Sequence, residues 1–266
     1  MKKAQHDRTA NAGTYPFEFS ICTLVTNQDE YQEMLSSFEA AGFNRQICEF
    51  LQLDNTVENK YDGYSGLNLF LQQARGKYII LCHQDVLINK DSIGDLRASI
   101  HELDQTDPKW ALCGNAGAAG PNHIVYHISY PNGIHKSKGQ LPAKVSSLDE
   151  NFILLKNEAD LSFSADLSGF HLYGTDICLR AYLKGRTAYV IPFDITHKSR
   201  GQLSPAFFSA RETFIKKYNK IFNGKWIQTT CTVFYLSHSS FRMLTGNKFV
   251  LFFVRLKNGL FKKAYP

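Results

Sequence analysis

The chain has six cysteines, Cys22, Cys48, Cys82, Cys113, Cys178 and Cys231, but no CxxC pair. Their scatter excludes a zinc ribbon, a dithiol redox pair or a disulfide framework. Several sit in apolar runs, where a thiol packs as a small hydrophobe, which favours a reducing compartment, the cytoplasm. No run reaches the roughly 20 apolar residues of a spanning helix; the late run Phe249 to Val254 is cut by Arg255. Met1 to Tyr15 is polar and lacks the apolar core of a signal peptide. Neither GxGxxG nor GxxxxGK[ST] follows the first apolar strand, so the dinucleotide fingerprint and the P-loop are both missing. Internal repeats and low-complexity tracts are absent from the sequence as well.

What is present is ordinary globular material: 266 residues, 44% hydrophobic and 20% charged. A formal charge of +6 suits phosphates or an anionic surface without announcing nucleic acid, and none is expected as a partner.

The organising stretch is Lys77-Tyr78-Ile79-Ile80-Leu81-Cys82-His83-Gln84-Asp85-Val86. Tyr78 to Cys82 reads as a buried strand. An imidazole, an amide and a carboxylate follow with no turn between, at the carboxyl edge where open α/β sheets bind ligands. Upstream, Phe19 to Val25 reads as a strand closed by Thr26 and Asn27, and Asn27 with Glu30 resembles a capping box. Tyr31, Met34, Leu35, Phe38 and Ala41 recur at helical spacing up to Gly42. A strand from Ile47 to Leu53 ends in Asp54-Asn55, and a helix marked by Leu67, Phe70, Leu71 and Ala74 stops at Gly76. Residues 17–86 thus read β-α-β-α-β, a Rossmann-like half with a parallel sheet. A nucleotide held by this half meets side chains at strand ends, Thr26, Asn27, Asp54 and Asp85. Asp54-Asn55 is equally a good turn dipeptide.

Further on, Ile93 to Leu103 is helical and Trp110 to Gly114 a strand. Asn115 to Asn122, rich in Gly and Ala, reads as a loop. Val125–Ser129 and Lys144–Leu148 read as a hairpin pair around Asn132-Gly133. Phe152 to Leu155 is another apolar run. Thr175 or Asp176 caps or opens a helix ending at Gly185, whose first-turn amides favour an ionised carboxylate. A plain cap is the competing role for Asp176. Thr187 to Ile191 is a strand. Thr196-His197-Lys198-Ser199-Arg200-Gly201 reads as a phosphate site or a solvated loop. Ser204-Pro205 starts an aromatic helix. Lys248 to Lys263 is a basic amphipathic segment, suited to an anionic membrane surface or to packing on the domain.

Taken in order, Asp54-Asn55, Gly66-Leu67-Asn68, Ala74-Arg75-Gly76-Lys77-Tyr78-Ile79, His83-Gln84-Asp85-Val86, Asp149-Glu150, the run Gly169 to Ala181, Gly185 and His197-Lys198-Ser199 resemble glycosyltransferase family 2, in a bacterial branch with a His-Gln-Asp-Val metal motif. The resemblance covers about residues 17–220. It implies an α/β GT-A (Rossmann-like) fold, a mostly parallel central sheet flanked by helices with a C-terminal helical basic extension. The expected division is a leader (1–16), a GT-A domain (17–225, with a nucleotide-sugar half 17–114 and an acceptor half 115–225) and a basic extension (226–266).

The resemblance also implies roles. Thr26, Asn27, Asp54 and Asn68 fall to the donor, with His83, Lys198 and Arg200 near its diphosphate. Asp85 and His197 fall to a divalent metal, and Asp176 to the base that activates the acceptor. His83 replaces the first acid of the family's Asp-x-Asp, which favours Mn²⁺ over Mg²⁺, because imidazole is a softer ligand than oxygen. Thr175-Asp176 replaces the usual Glu-Asp pair. The expected activity is inverting transfer of a sugar, from a UDP- or dTDP-sugar to a glycan or lipid-linked glycan acceptor, in bacterial surface polysaccharide assembly. The expected location is cytoplasmic, with peripheral contact at the inner face of the membrane. The alternatives are a non-catalytic sugar-nucleotide or glycan-binding module on the same scaffold and a nucleotidyltransferase. The latter requires a glycine-rich basic loop that Thr26-Asn27-Gln28-Asp29 does not supply.

Overall fold

The computed structural model describes residues 15–199, 201 and 204–260. The opening β-α-β-α-β unit forms as β1 (Phe17–Val25), α1 (Gln28–Ala40), β2 (Cys48–Asp54), α2 (Ser65–Gln73) and β3 (Gly76–Cys82). β1 pairs in parallel with both β2 and β3, each reached by a helical crossover. Asn27 caps α1, its side-chain oxygen accepting from the amides of Asp29 (3.0 Å) and Glu30 (3.3 Å). Gly42 ends that helix at φ +98°, a left-handed conformation glycine adopts without penalty.

The chain continues through β4 (Val86–Leu87), α3 (Ile93–Thr106), β5 (Trp110–Gly114), β6 (Ala116–Gly120), β7 (His123–Tyr130), β8 (Ile134–Lys138), β9 (Ala143–Val145), β10 (Ser147–Leu148) and β11 (Phe152–Lys156). It closes with α4 (Tyr173–Leu183), β12 (Thr187–Val190), β13 (Ile195–His197), α5 (Pro205–Tyr218), the hairpin β14 (Asn223–Gln228) and β15 (Val233–Ser237), α6 (Ser240–Met243) and α7 (Lys248–Leu260). The main sheet has the order β2-β1-β3-β11-β5-β12-β9. Its parallel character is confined to β1 with β2 and β3 and to β5 with β12. β11 runs antiparallel to both its neighbours, so the sheet is mixed rather than mostly parallel. The reason is connectivity: the chain enters β11 from a string of strands, not from a crossover helix, and antiparallel pairing needs no crossover.

Those strands build a second sheet, β10-β6-β7-β13-β4, with β8 on β7. Here the expected loop at Asn115–Asn122 is corrected: Ala116–Gly120 is a nearly fully buried strand. Its small residues reflect crowding, not flexibility. A Cβ on Gly117 would lie 2.3 Å from the Ser147 carbonyl oxygen and 3.1 Å from Val190. The turn at Asn132-Gly133 forms as expected, at φ +66° and +73°. The strand across it is Ile134–Lys138, however, while Lys144–Leu148 supplies β9 and β10 to different sheets.

Apolar cores cover both faces of the main sheet. One gathers Phe19, Met34, Phe38, Trp110 and Phe193 between the sheet and α1 and α3. The other gathers Phe70, Ile153, Ile177, Phe214 and Tyr218 under α2, α4 and α5. Ile227, Phe234 and Leu236 of the β14–β15 hairpin lie in this second core. The expected boundary at residue 225 therefore cuts through β14, and the stretch that extends beyond the core begins nearer α6.

Gly76 marks the tightest contact between β1 and β3. A Cβ there would fall 2.5 Å from the Ser20 amide nitrogen and 2.6 Å from the Phe19 carbonyl carbon. The Gly76 amide donates to Ser20 Oγ at 2.7 Å, and Ser20 donates to the buried Glu49 at 2.6 Å. Gly76→Ala is expected to destabilise the fold by about 3 kcal/mol, since only backbone movement relieves the overlap. The urea midpoint is the measurement; an unchanged midpoint would show that the strands part freely.

Candidate active site

β3 runs straight into His83, Gln84 and Asp85, and the short β4–β13 pairing sets His197 opposite Val86. One ligating atom each from His83, Asp85 and His197 lies within 4.8 Å of the others. His197 Nε2 is 3.4 Å from Asp85 Oδ1, and His83 Nδ1 is 3.9 Å from the same oxygen. The Lys198 amide donates to the Asp85 carbonyl at 3.0 Å, fixing the backbone beneath the cluster.

The hydrogen bonds around His83 set its tautomer. Tyr173 has one hydroxyl proton, and the Glu150 carbonyl 3.2 Å away can only accept it. With that proton on the Glu150 carbonyl, the Tyr173 oxygen accepts from His83 Nε2–H at 2.8 Å. That leaves Nδ1 as a lone pair turned towards Asp85. Burial, and after it His197, lowers the His83 pKa and keeps the ring neutral. Burial alone would raise the Asp85 carboxyl, but His197, Ser199 and His83 outweigh it and hold it well below the usual carboxylate range. Two imidazoles and one carboxylate fit a d-block dication better than Mg²⁺, which prefers an all-oxygen shell.

Gln84 faces the other way and ties this strand end to the next. Its Oε1 accepts from the amides of Thr26 (2.7 Å) and Asn27 (2.9 Å), while Nε2 donates to Thr26 Oγ1 (2.9 Å) and Glu30 (3.1 Å). Thr26 and Asn27 thus lie beside the metal-ligating cluster, with the Asn27 side chain committed to capping α1. Asp54 is opposite Val25 at the end of β2, exposed, and lines a cavity of 310 Å³ with Tyr61 and Lys60. Its carboxylate accepts from the Thr56 hydroxyl and amide, which lower its pKa.

Three of the residues to which the resemblance gives roles have their side chains engaged within the fold. Asn68 Oδ1 accepts from the Phe163 amide at 2.8 Å and its Nδ2 donates to the Phe163 carbonyl at 3.1 Å, so both ends of the amide are used in the fold. The Lys198 ammonium is turned to α1, bonded to Glu33 at 2.5 Å. Asp176 is fully buried, with Oδ2 accepting from the Ser164 amide at 2.8 Å and Oδ1 from Ser164 Oγ at 2.6 Å and Tyr218 OH at 2.5 Å. Burial raises its pKa despite those donors, opposite to the ionising effect expected of the helix end. The physical reason is the register of α4. The helix starts at Tyr173, after Leu172 at φ +66°, which turns Asp176 under the helix rather than onto its tip. Arg200 lies outside the described residues.

The carboxylates that do reach the site are Asp149 and Glu150. Antiparallel pairing of β11 with β3 sets Phe152 opposite Cys82, so the start of β11 meets the end of β3. The His83 amide donates to the Asn151 carbonyl at 3.0 Å. The Gly174 amide at the tip of α4 donates to Glu150 Oε1 at 3.4 Å. Gly174 has no room for a side chain, since a Cβ would lie 2.5 Å from the Leu148 carbonyl oxygen and 3.2 Å from Glu150 Cγ. Burial, then the Asp149 charge, pushes the Glu150 pKa up to about 8. Asp149 accepts from Thr230 Oγ1 at 2.8 Å. The sequence signal was the acidic pair directly before an apolar run, a mirror image of the run that ends in His83-Gln84-Asp85.

This architecture is the GT-A fold of glycosyltransferases. The chain superposes on the mannosyltransferase PcManGT from Pyrobaculum calidifontis, in complex with GDP-Man and Mn²⁺, with a TM-score of 0.50 at 13% identity, over 78% of this chain and 64% of that one. It also superposes on S. aureus TarS 1-349 in complex with UDP-GlcNAc, with a TM-score of 0.50 at 15% identity, over 76% of this chain and 66% of that one. The chain thus spans less than two thirds of the length of either structure. It belongs to the family of the "ATP synthase subunits region ORF 6" protein of Fuscovulum blasticum, being 38% identical to it over 213 residues, 78% of this chain and 86% of the relative. No family model matches the sequence.

Proposed function

We propose that the chain is an inverting, metal-dependent glycosyltransferase that uses a nucleotide-diphosphate sugar. The observation that carries this reading is the convergence of His83, Asp85 and His197 at the carboxyl end of β3 with a separate acidic pair, Asp149 and Glu150, across the β3–β11 junction. The nucleotide sugars and Mn²⁺ bound by the two GT-A proteins support the same assignment.

Asp85, His197 and His83 hold the metal, Mn²⁺ or Mg²⁺ with the donor set favouring Mn²⁺. When bound, it supplies positive charge to the leaving diphosphate. Thr26 and Asp54 take the nucleoside side. Glu150, rather than Asp176, is the base: its raised proton affinity lets it draw the proton from an acceptor hydroxyl as attack proceeds. A single displacement opposite the leaving group inverts the anomeric carbon. UDP- or dTDP-sugars are the favoured donors, and a glycan or lipid-linked glycan in surface polysaccharide assembly is the favoured acceptor.

A thermal-shift panel of UDP-, dTDP- and GDP-sugars, each with and without Mn²⁺, tests the reading. One nucleotide class is expected to raise Tm only when Mn²⁺ is present, by mass action on the folded state. If every donor leaves Tm unchanged, the donor-site assignment fails and a glycan-binding module becomes the better reading.

The membrane contact belongs to α7. Phe249 is 72% exposed and Phe252 60%, and Phe253 and Leu256 are exposed beside Lys248, Arg255 and Lys257. Among the described residues, no helix is long and apolar enough to cross a membrane. α7 is expected to lie in the interface of an anionic bilayer. Deleting residues 245–266 should abolish flotation with phosphatidylglycerol vesicles; undiminished flotation would remove α7 from the account.

A further inference from the structure

A second cluster of ligating groups stands at the other end of β13. We propose that His127, His135 and Asp194 form a divalent-metal site of the zinc class, distinct from the His83–Asp85–His197 cluster, that pins the β7–β8 hairpin to the body of the protein.

The geometry follows from strand register. Ser129 pairs with His135 and His127 with Ser137 across the hairpin, so these four side chains share one face. The two imidazole rings meet edge to face, with centroids 4.7 Å apart. One nitrogen from each ring and one Asp194 oxygen lie within 4.8 Å of one another. Asp194 precedes β13 and is 2% exposed.

The Asp194 carboxylate supplies the second, independent observation. Three donors crowd onto Oδ2: Ser129 Oγ at 2.9 Å, His135 Nδ1 at 3.0 Å and Lys90 Nζ at 3.1 Å. Oδ1 is buried and has no hydrogen-bond partner among the described residues. A buried carboxylate oxygen without a donor is costly and uncommon, and a cation held by the Asp194 carboxylate together with the two imidazoles would offset that cost.

Two imidazoles and a carboxylate match the borderline-soft dications, Zn²⁺ above all, with a water completing the tetrahedron. Zinc–ligand bonds of about 2.0–2.1 Å require the three groups to close in by roughly 1 Å. β8 is exposed along its whole length, so His135 has room to make that shift. Lys90 is the ammonium that balances Asp194 without metal. Its side chain is 48% exposed, so it can swing into solvent as a dication arrives. Asp194, just before β13, and His197, at its end, are three residues apart, about 10 Å of extended chain, which separates this site from the first cluster.

The test is Co²⁺ titration of the full chain by visible absorption, with Zn²⁺ stoichiometry by chelator competition. Wild type is expected to bind two equivalents, His127→Gln/His135→Gln one, and Asp85→Asn the other one alone. Lys90→Gln removes the competing cation and is expected to tighten the hairpin site on the order of tenfold. A salt-bridge network without metal would instead lose stability in Lys90→Gln with no change in metal affinity. Zinc should also slow amide exchange across residues 134–138. The proposal is overturned if the double histidine variant keeps the wild-type stoichiometry, or if wild type binds one equivalent that Asp85→Asn removes. One equivalent lost only in the histidine variant would uphold it and leave the donor-site metal without support.

Discussion

Asp85→Ala is expected to lower kcat/KM about 10³-fold and to erase the Mn²⁺-dependent part of the donor thermal shift. Removing one preorganised charge-stabilising group from a site of this kind costs about 10²- to 10³-fold, and Asp85 stands between both histidines. Its low pKa shows that the surrounding imidazoles already favour its ionised form. The fold should survive, because Asp85 supports its neighbours mainly through its backbone carbonyl, which the Lys198 amide meets at 3.0 Å. Retained metal-dependent turnover in Asp85→Ala would move the metal away from β3.

The second large effect separates Glu150 from Asp176. Glu150→Gln is expected to lower turnover about 10³-fold, the range for losing a general base, with donor binding intact. In wild type, kcat/KM should rise with pH through about 8, where Glu150 gives up its proton, and level off above it. Stability should show the opposite trend. A carboxyl whose pKa is raised to about 8 on folding stabilises the protein fully below its unfolded value, and that contribution is lost as pH rises towards 8. Glu150→Gln should therefore gain stability over wild type as pH rises, on the order of 2 kcal/mol at pH 7, with the difference fading near pH 4. Asp176→Ala should behave in the reverse way. It strands the Ser164 and Tyr218 donors in the core and costs about 3–5 kcal/mol, while Asp176→Asn keeps turnover per folded molecule within severalfold. Urea melts beside single-turnover rates decide the matter; catalytic loss in a stable Asp176→Asn would return the base to Asp176.

The parts of this fold legible in the sequence were those with local causes. Apolar runs and helix caps located β1 to β3, α1, α3 and α5 within a few residues, because burial period and cap chemistry act over one or two turns. The strand that failed, Ala116–Gly120, is small-residue because of what lies on both sides of it in space, and no local rule reads that. The site divides in the same way. His83 and Asp85 follow one strand, so their nearness is legible from the sequence. Glu150 comes next to His83 only because β11 runs backwards along β3, a long-range fact. Asp176 carried the right chemistry at a helix start but sat one turn out of phase: the helix begins with the left-handed Leu172, for which the sequence has no glycine or capping side chain to give warning.

Gln84 lies between His83 and Asp85 in sequence, and its side chain is engaged elsewhere. Its amide spans from the end of β3 to the first turn of α1, bonding Thr26, Asn27 and Glu30. In that position it works as a gauge. The distance between the end of β3 and the first turn of α1 is spanned by one glutamine side chain, and asparagine would shorten that reach by a methylene. The central triplet therefore encodes a length as well as a set of polar groups.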